Sequence, residues 1–295
     1  MRFISTICFE ISKRLILKRQ TGDAGENPAT FDKNTYQKWR EDELTQQFTD
    51  HFSPSEIIDM DVLDFGCGDG ELSFLMAKLG AKSVIGVELA SERYSAAVKK
   101  LETKHFPVQP HFILASDTIK LELTDNSMDV ILCFDVLEHV MEYDLIIREW
   151  YRVLRPGGKI LIWWVPWWHP YGPHIESLIP IPWCHLFFSE KTLLNTCARI
   201  YDMPEFKPRI WDIDANGKKK PNKWLDMKTL PEVNKLTMGD FERLAQLVGF
   251  AIQRKTPRGF GSSRLAKLTH IFLYLPILKE FFTSSVTYCL QKSVR

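Results

Sequence analysis

From residue 61 onward the chain alternates short apolar runs with longer amphipathic stretches. The runs at 62–65, 83–88, 111–115, 129–134 and 159–164 have strand length and are rich in Val, Ile, Leu and Phe, so they predict buried strands. Between them, 71–79, 92–101 and 144–154 repeat apolar residues at helical spacing. Strand, crossover helix and parallel strand in succession predict an α/β fold built on a doubly wound sheet, with ligands bound at the carboxyl ends of the strands.

The rhythm stops at 166. Prolines at 166, 170, 173, 180, 182, 204, 208, 221 and 231 interrupt any long element as far as 235. It returns as a helix at 237–247, a strand at 249–255, an apolar helix-like run at 270–282 and a last strand at 286–291. Upstream, 36–52 has helical spacing, and 21–34, rich in Gly, Asp, Asn, Pro and Thr, reads as a linker. The expected division is a helical and linker segment at 1–52, a ligand-binding core at 53–165, an inserted cap at 166–235 on the substrate side, and completion of the sheet at 236–295.

Composition changes this picture little. With 45% apolar and 25% charged residues the chain is ordinary for a globular protein, and a net charge of +1 provides no global field for nucleic acid. The six cysteines form no C-x-x-C pair, which argues against a zinc site or a disulfide scaffold and for a reducing, cytoplasmic setting. No apolar run reaches the roughly 18 residues that span a bilayer. Residues 1–20 place Phe3, Ile4, Ile7, Phe9, Ile11, Leu15 and Ile16 beside Lys13, Arg14, Lys18 and Arg19, a pattern that suits a membrane surface or a packed helix.

The strongest chemical signal is Val62-Leu63-Asp64-Phe65-Gly66-Cys67-Gly68-Asp69-Gly70, a strand running into three alternating glycines and then a helix. Glycines at such a bend let the backbone approach a ligand closely. The G-x-G-x-x-G spacing of a dinucleotide site is missing, because position 71 is Glu. Asp64 and Asp69 flank the turn; carboxylates there would oppose a pyrophosphate and suit an ammonium or a sulfonium. Twenty residues on, Glu88 ends the second strand, where an acidic side chain can accept both hydroxyls of a ribose.

Together these residues resemble the class I S-adenosylmethionine-dependent methyltransferases, small-molecule branch, over about 58–165 and again weakly at 237–291. The likeness extends to Asp117 after the third strand, to Phe134-Asp135-Val136-Leu137-Glu138-His139 after the fourth and to Leu154-Arg155-Pro156-Gly157-Gly158-Lys159 before the fifth. It implies a Rossmann-like seven-stranded sheet and S-adenosyl-L-methionine as cofactor. Asp64, Gly66, Gly68 and Gly70 would surround the methionine part, Glu88 would hold the ribose, Asp117 and Thr118 the adenine, and Phe134 would form the floor beside the sulfonium. Read as plain structure, Asp117 is a helix N-cap and Glu138 a residue favoured at a helix start.

Methyl transfer from a sulfonium needs no metal and no covalent intermediate; a base is needed only for a protonated nucleophile. The candidates are His139 and, within an aromatic stretch holding Trp167, Trp168, Tyr171 and Trp183, His169 and His174. His169, His174, Glu176 and His185 match no helix-face metal set, so no metal is expected. The expected reaction is methylation of a small-molecule acceptor, at oxygen rather than nitrogen because histidines, not paired carboxylates, crowd this stretch. The alternatives are an RNA methyltransferase, prompted by Lys218-Lys219-Lys220 near Trp224, a membrane-associated lipid or quinone methyltransferase, prompted by the apolar stretches 1–20 and 270–282, and a cofactor-binding subunit without turnover.

Overall fold

The computed structural model describes residues 2–21, 32–117, 119–214, 216–230, 233–261 and 264–294. Its chain divides into two compact units, Arg40–Pro166 with Asn234–Arg295, and Met1–Trp39 with Trp167–Val233. The residues 1–52 are therefore shared between them.

The first unit holds a seven-stranded sheet: β1 (Asp61–Phe65), β2 (Ser83–Glu88), β3 (His111–Leu114), β4 (Met128–Phe134), β5 (Leu154–Trp164), β6 (Phe250–Arg258) and β7 (Ser285–Lys292), in the order β3-β2-β1-β4-β5-β7-β6. The first five are parallel, and β7 runs antiparallel to both β5 and β6. From β1 the chain winds outward to β2 and β3, then crosses to β4 and β5, so the winding reverses between β1 and β4. The carboxyl ends flanking that reversal, after Phe65 and Phe134, are where an open α/β sheet opens a ligand crevice.

Helices α3 (Glu71–Lys78), α4 (Ser91–Thr103) and α5 (Tyr143–Val153) are the crossovers. In α5, Ile146, Ile147, Trp150 and Val153 recur at helical spacing and are all buried, and Trp150 meets Phe65 edge-on at 5.3 Å. All five residues of β1 are buried because the sheet is covered on both faces: Leu63 and Phe65 join one apolar cluster, Val62 the other. The second cluster also takes Leu44, Phe48 and Phe52 from around the end of α2 (Lys33–His51).

Three expectations are corrected. The Pro156-Gly157-Gly158 turn lies inside β5, not ahead of it: pairing begins at Met128↔Leu154, breaks, and resumes at Val130↔Lys159 around a left-handed Gly157. The helix-like run at 270–282 is mostly a 3-10 helix, Thr269–Tyr274, and turns, preceded by a short α9 (Arg264–Leu268; α6 to α8 are given below), since Pro276 cannot continue a helix. The proline-rich 166–235 contains α6 (Cys184–Phe187) and a full helix, α7 (Glu190–Tyr201), started by Ser189, whose side chain accepts from the Thr192 amide. Helix α8 (Met238–Val248) stands where expected, and most of the linker at 21–34 lies outside the described residues.

In the second unit α1 (Arg2–Thr21) buries Cys8, Ser12 and Ile16, and Cys8 and Ile16 join a core with Leu193, Cys197 and Tyr201 of α7. Ser5 bonds Asn195 at 3.1 Å, and the Arg199 guanidinium lies 3.7 Å from the Phe9 ring. Among the described residues no helix is long and apolar enough to cross a membrane.

Candidate functional site

The glycine turn follows β1 with Gly66, Gly68 and Gly70 all at positive φ, +73°, +57° and +86°. Gly66 is held by packing, since a Cβ there would lie 2.5 Å from a Val136 methyl. Gly68 is different: its Cβ would meet nothing nearer than the Arg93 guanidinium at 3.4 Å, so the backbone lies open there. Gly70 serves as N-cap of α3. The turn is stapled to β2. The amides of Gly66 and Cys67 donate to the Val87 carbonyl, and Glu88 accepts from Gly68 N through Oε2 at 2.8 Å and from Leu89 N and Ala90 N through Oε1 at 2.8 and 2.9 Å. Three amides thus orient one carboxylate beside an open stretch of backbone, and each carboxylate oxygen can accept more than one bond.

The two acids flanking the turn are engaged by the protein. Asp64 is 2% exposed and accepts the Ser73 hydroxyl at 2.6 Å; burial, reinforced by Glu71 and Glu88, raises its pKa to about 7 despite that bond. Asp69 faces Lys100 at 3.8 Å, and Lys100 also binds Glu71 at 2.7 Å. An ammonium arriving at this turn would therefore meet a carboxyl balanced between its two protonation states.

A pH dependence follows from Asp64. In the folded protein its carboxyl stays protonated up to about pH 7, whereas in the unfolded chain it ionises near the usual pH of about 4. Between those values the native state binds the extra proton, so this group's contribution to stability falls as pH rises through the window and is constant above it. Asp64→Asn is expected to flatten the profile by roughly 4 kcal/mol at most, from a three-unit difference. Denaturation midpoints taken from pH 4 to 8 check this, and an unchanged profile would exclude it.

At the β3 exit Asp117 accepts from the amides of Ile119 and Lys120 at 2.8 and 3.0 Å, bonds that hold its carboxyl below the usual range. It shapes a turn rather than capping a helix, since no helix is described between β3 and β4, and Thr118 lies outside the described residues. Leu89 and Ile119 expose apolar side chains after β2 and β3.

At the β4 exit stands Phe134, expected beside the sulfonium. Its ring is buried between Phe48 and Phe52, at 6.3 and 5.8 Å, because an aromatic surface this large gains more in the core than at an edge. The charged groups come next. Asp135, at φ +58°, pairs with Arg40 at 2.5 Å, and Arg40 also holds Glu43 at 3.0 Å. Glu138 is 1% exposed, and burial first, then the neighbouring Asp135, raise its pKa well above the usual carboxylate value. Asn234 pins the neighbouring turn through the carbonyls of Leu137, Glu138 and Val140. His139 beside it is exposed.

Comparison with known proteins bears on this arrangement. Residues 63–162, which contain the turn, Glu88 and Glu138, match the family described as a methyltransferase domain. Over this part, about a third of the chain, the core is similar to the S-adenosylmethionine-dependent methyltransferases. Over 102 residues, 34% of this chain, it is 40% identical to a ubiquinone biosynthesis O-methyltransferase of Xanthomonas oryzae, and it spans 41% of that protein's length. Over 122 residues it is 33% identical to phosphoethanolamine N-methyltransferase 3 of Arabidopsis thaliana, matching 41% of this chain and 24% of that one. Two solved structures share the fold: the cyclase SpnF, at TM-score 0.52 and 16% identity over 92% of this chain and 86% of that one, and a Pyrococcus horikoshii protein, at TM-score 0.50 and 18% identity over 90% and 96%. A cyclase on this fold shows that architecture alone does not specify the reaction.

S-adenosylmethionine is the cofactor of this methyltransferase family, and the core fits it: the open backbone at Gly68 leaves room that a Cβ would take, and Glu88 is oriented for paired hydroxyls. Sequence reasoning found these residues but not Arg40, Ser73 or Asn234, because ordinary polar residues of other elements become partners only through the fold.

The histidines at 167–188 lie in the other unit. His169 Nδ1 accepts from the Tyr171 amide at 3.0 Å, which puts the ring proton on Nε2, and burial followed by His174 lowers its pKa to about 4. That imidazole donates through Nε2 and is a weak base at neutral pH, which argues against the role expected for it. His185 packs against Trp167 and Trp168, at 4.9 and 6.2 Å, with its pKa lowered to about 4 by burial. His174, at φ +55°, lies within electrostatic reach of Glu176, which Arg209 holds at 2.7 Å. Of the basic run, Lys219 caps the Tyr201 carbonyl and covers the Tyr201 ring at 4.6 Å, and Lys220 O accepts the Tyr201 hydroxyl at 2.9 Å, so part of it serves its own unit.

Proposed function

We propose that the protein transfers a methyl group from S-adenosylmethionine to the hydroxyl of a small-molecule acceptor. The observation that carries this reading is the Glu88 carboxylate, fixed by three backbone amides next to the open Gly68. The bound cofactor supplies an electrophilic methyl on a cationic sulfur. The chain's residues supply alignment: Glu88 takes the ribose hydroxyls, Gly66 and Gly68 let the backbone receive the methionine part, and Asp64 meets its ammonium. Likeness to a ubiquinone biosynthesis O-methyltransferase and the presence of His174 as a candidate base support oxygen as the target.

Incubation with labelled S-adenosylmethionine and a metabolite extract, followed by mass spectrometry, tests this. A methylated small molecule is expected; cofactor binding without transfer, or label found only in polynucleotide, overturns it. If the acceptor loses a proton, His174 is the residue of the 167–188 stretch proposed to take it. His174→Gln is then expected to lower turnover about a hundredfold or more with cofactor affinity retained, and His169→Gln to lower it far less. Full activity in His174→Gln would transfer the assignment to His139 or to a reaction without a base.

A further inference from the structure

Between residues 251 and 279 the chain carries six basic residues and no acidic one. Within this stretch the 3-10 helix Thr269–Tyr274 has three residues per turn, so side chains three apart line up on one side. Leu268, Ile271 and Tyr274 fall on that interval, and Ile277 continues it in the following turn. Their exposures are 71%, 65%, 85% and 82%, with Leu275 beside them also exposed. Scattered surface leucines are normal, but a regular row of large apolar side chains this open is not.

The row stands on an anchored base. The His270 ring lies where a side chain on Gly259 would be, 2.4 Å from its Cβ position, and Nε2 meets the Phe260 carbonyl at 3.1 Å. Phe272 packs on Phe282 with centroids 4.5 Å apart, the Thr283 hydroxyl caps the Lys279 carbonyl at 2.6 Å, and Glu280 accepts the Gly239 amide at 2.9 Å. One side of the segment is thus held to its unit while the other presents apolar groups.

We propose that residues 268–279 are a docking surface for an anionic lipid bilayer. The row enters the acyl boundary, the Tyr274 ring suits the headgroup level, and the basic surroundings meet the lipid charge. Arg254 and Lys255 pair with Glu56 and Glu242, but Lys267 is exposed immediately beside Leu268. A second copy is a poor occupant: a two-fold contact sets the same patch against itself, and residues 267–279 hold Lys267 and Lys279 but no acid of their own to meet a copy's cations. The proposal stands apart from the methyl-transfer reading.

The full chain is expected to sediment with vesicles of phosphatidylcholine containing an anionic phospholipid, less with phosphatidylcholine alone, and less again as salt rises. Replacing Ile271 and Ile277 by Ser should weaken binding at least about tenfold, with circular dichroism and S-adenosylhomocysteine affinity unchanged. Because all six native cysteines are buried, Ile277→Cys can be labelled selectively with an environment-sensitive dye, whose emission should shift to the blue on anionic vesicles. No association with either vesicle, binding unchanged in the double variant, or a dye that stays in water would overturn the proposal. So would a self-association lost in that variant without any binding to vesicles.

Discussion

Gly68→Val is expected to lose S-adenosylhomocysteine binding by more than about a hundredfold while the sheet stays folded, because a branched side chain there meets the ligand rather than the protein. The backbone at Gly68 is at φ +57°, a region that costs a residue with a Cβ roughly 1–2 kcal/mol, more for a branched one. Its surroundings are otherwise open, with only Arg93 within reach at 3.4 Å. Gly66→Val should behave differently, since its Cβ would lie 2.5 Å from Val136 and the damage would appear as lost stability. Calorimetric titration beside thermal unfolding separates the two. A Gly68→Val variant that bound normally would reduce the glycine turn to a structural loop.

Removing the Glu88 carboxylate is the second large change. Glu88→Ala takes away the acceptor for three amides and, in the proposed complex, for the ribose hydroxyls; an affinity loss of about 10- to 100-fold is expected, corresponding to roughly 1.4–2.8 kcal/mol. The two contributions can be told apart with an S-adenosylhomocysteine analogue lacking one ribose hydroxyl. If Glu88 binds the ribose, the wild type should discriminate against the analogue and the variant should not. Equal affinity of wild type and Glu88→Ala for the parent ligand would remove Glu88 from the site.

The apolar rhythm of 61–164 was sufficient to place five strands, their crossover helices and the glycine turn, because each is specified within a window of a few residues by periodicity or by the need for glycine at a bend. The same local character made Gly66, Gly68 and Glu88 legible as a glycine turn with an acidic side chain beside it. Helix α7 was legible too, from Ser189 as N-cap and the apolar spacing behind it, but the surrounding prolines masked it.

What only the tertiary structure decided concerns groups whose properties depend on residues far away in the chain. Asp135 meets Arg40 across 95 positions, and Asn234 reaches Leu137 across 97, distances over which no periodicity carries information. Glu138 and His139 are neighbours in sequence, yet one is buried with its pKa raised and the other exposed, because a single turn points adjacent side chains in opposite directions. The family resemblance placed Phe134 beside the sulfonium, and the fold packs its ring against Phe48 and Phe52. His169 read as a base until its Tyr171 bond assigned the ring proton. The run 270–282 read as an apolar helix; a three-residue turn with its inner side anchored leaves every third apolar side chain from Leu268 to Ile277 open.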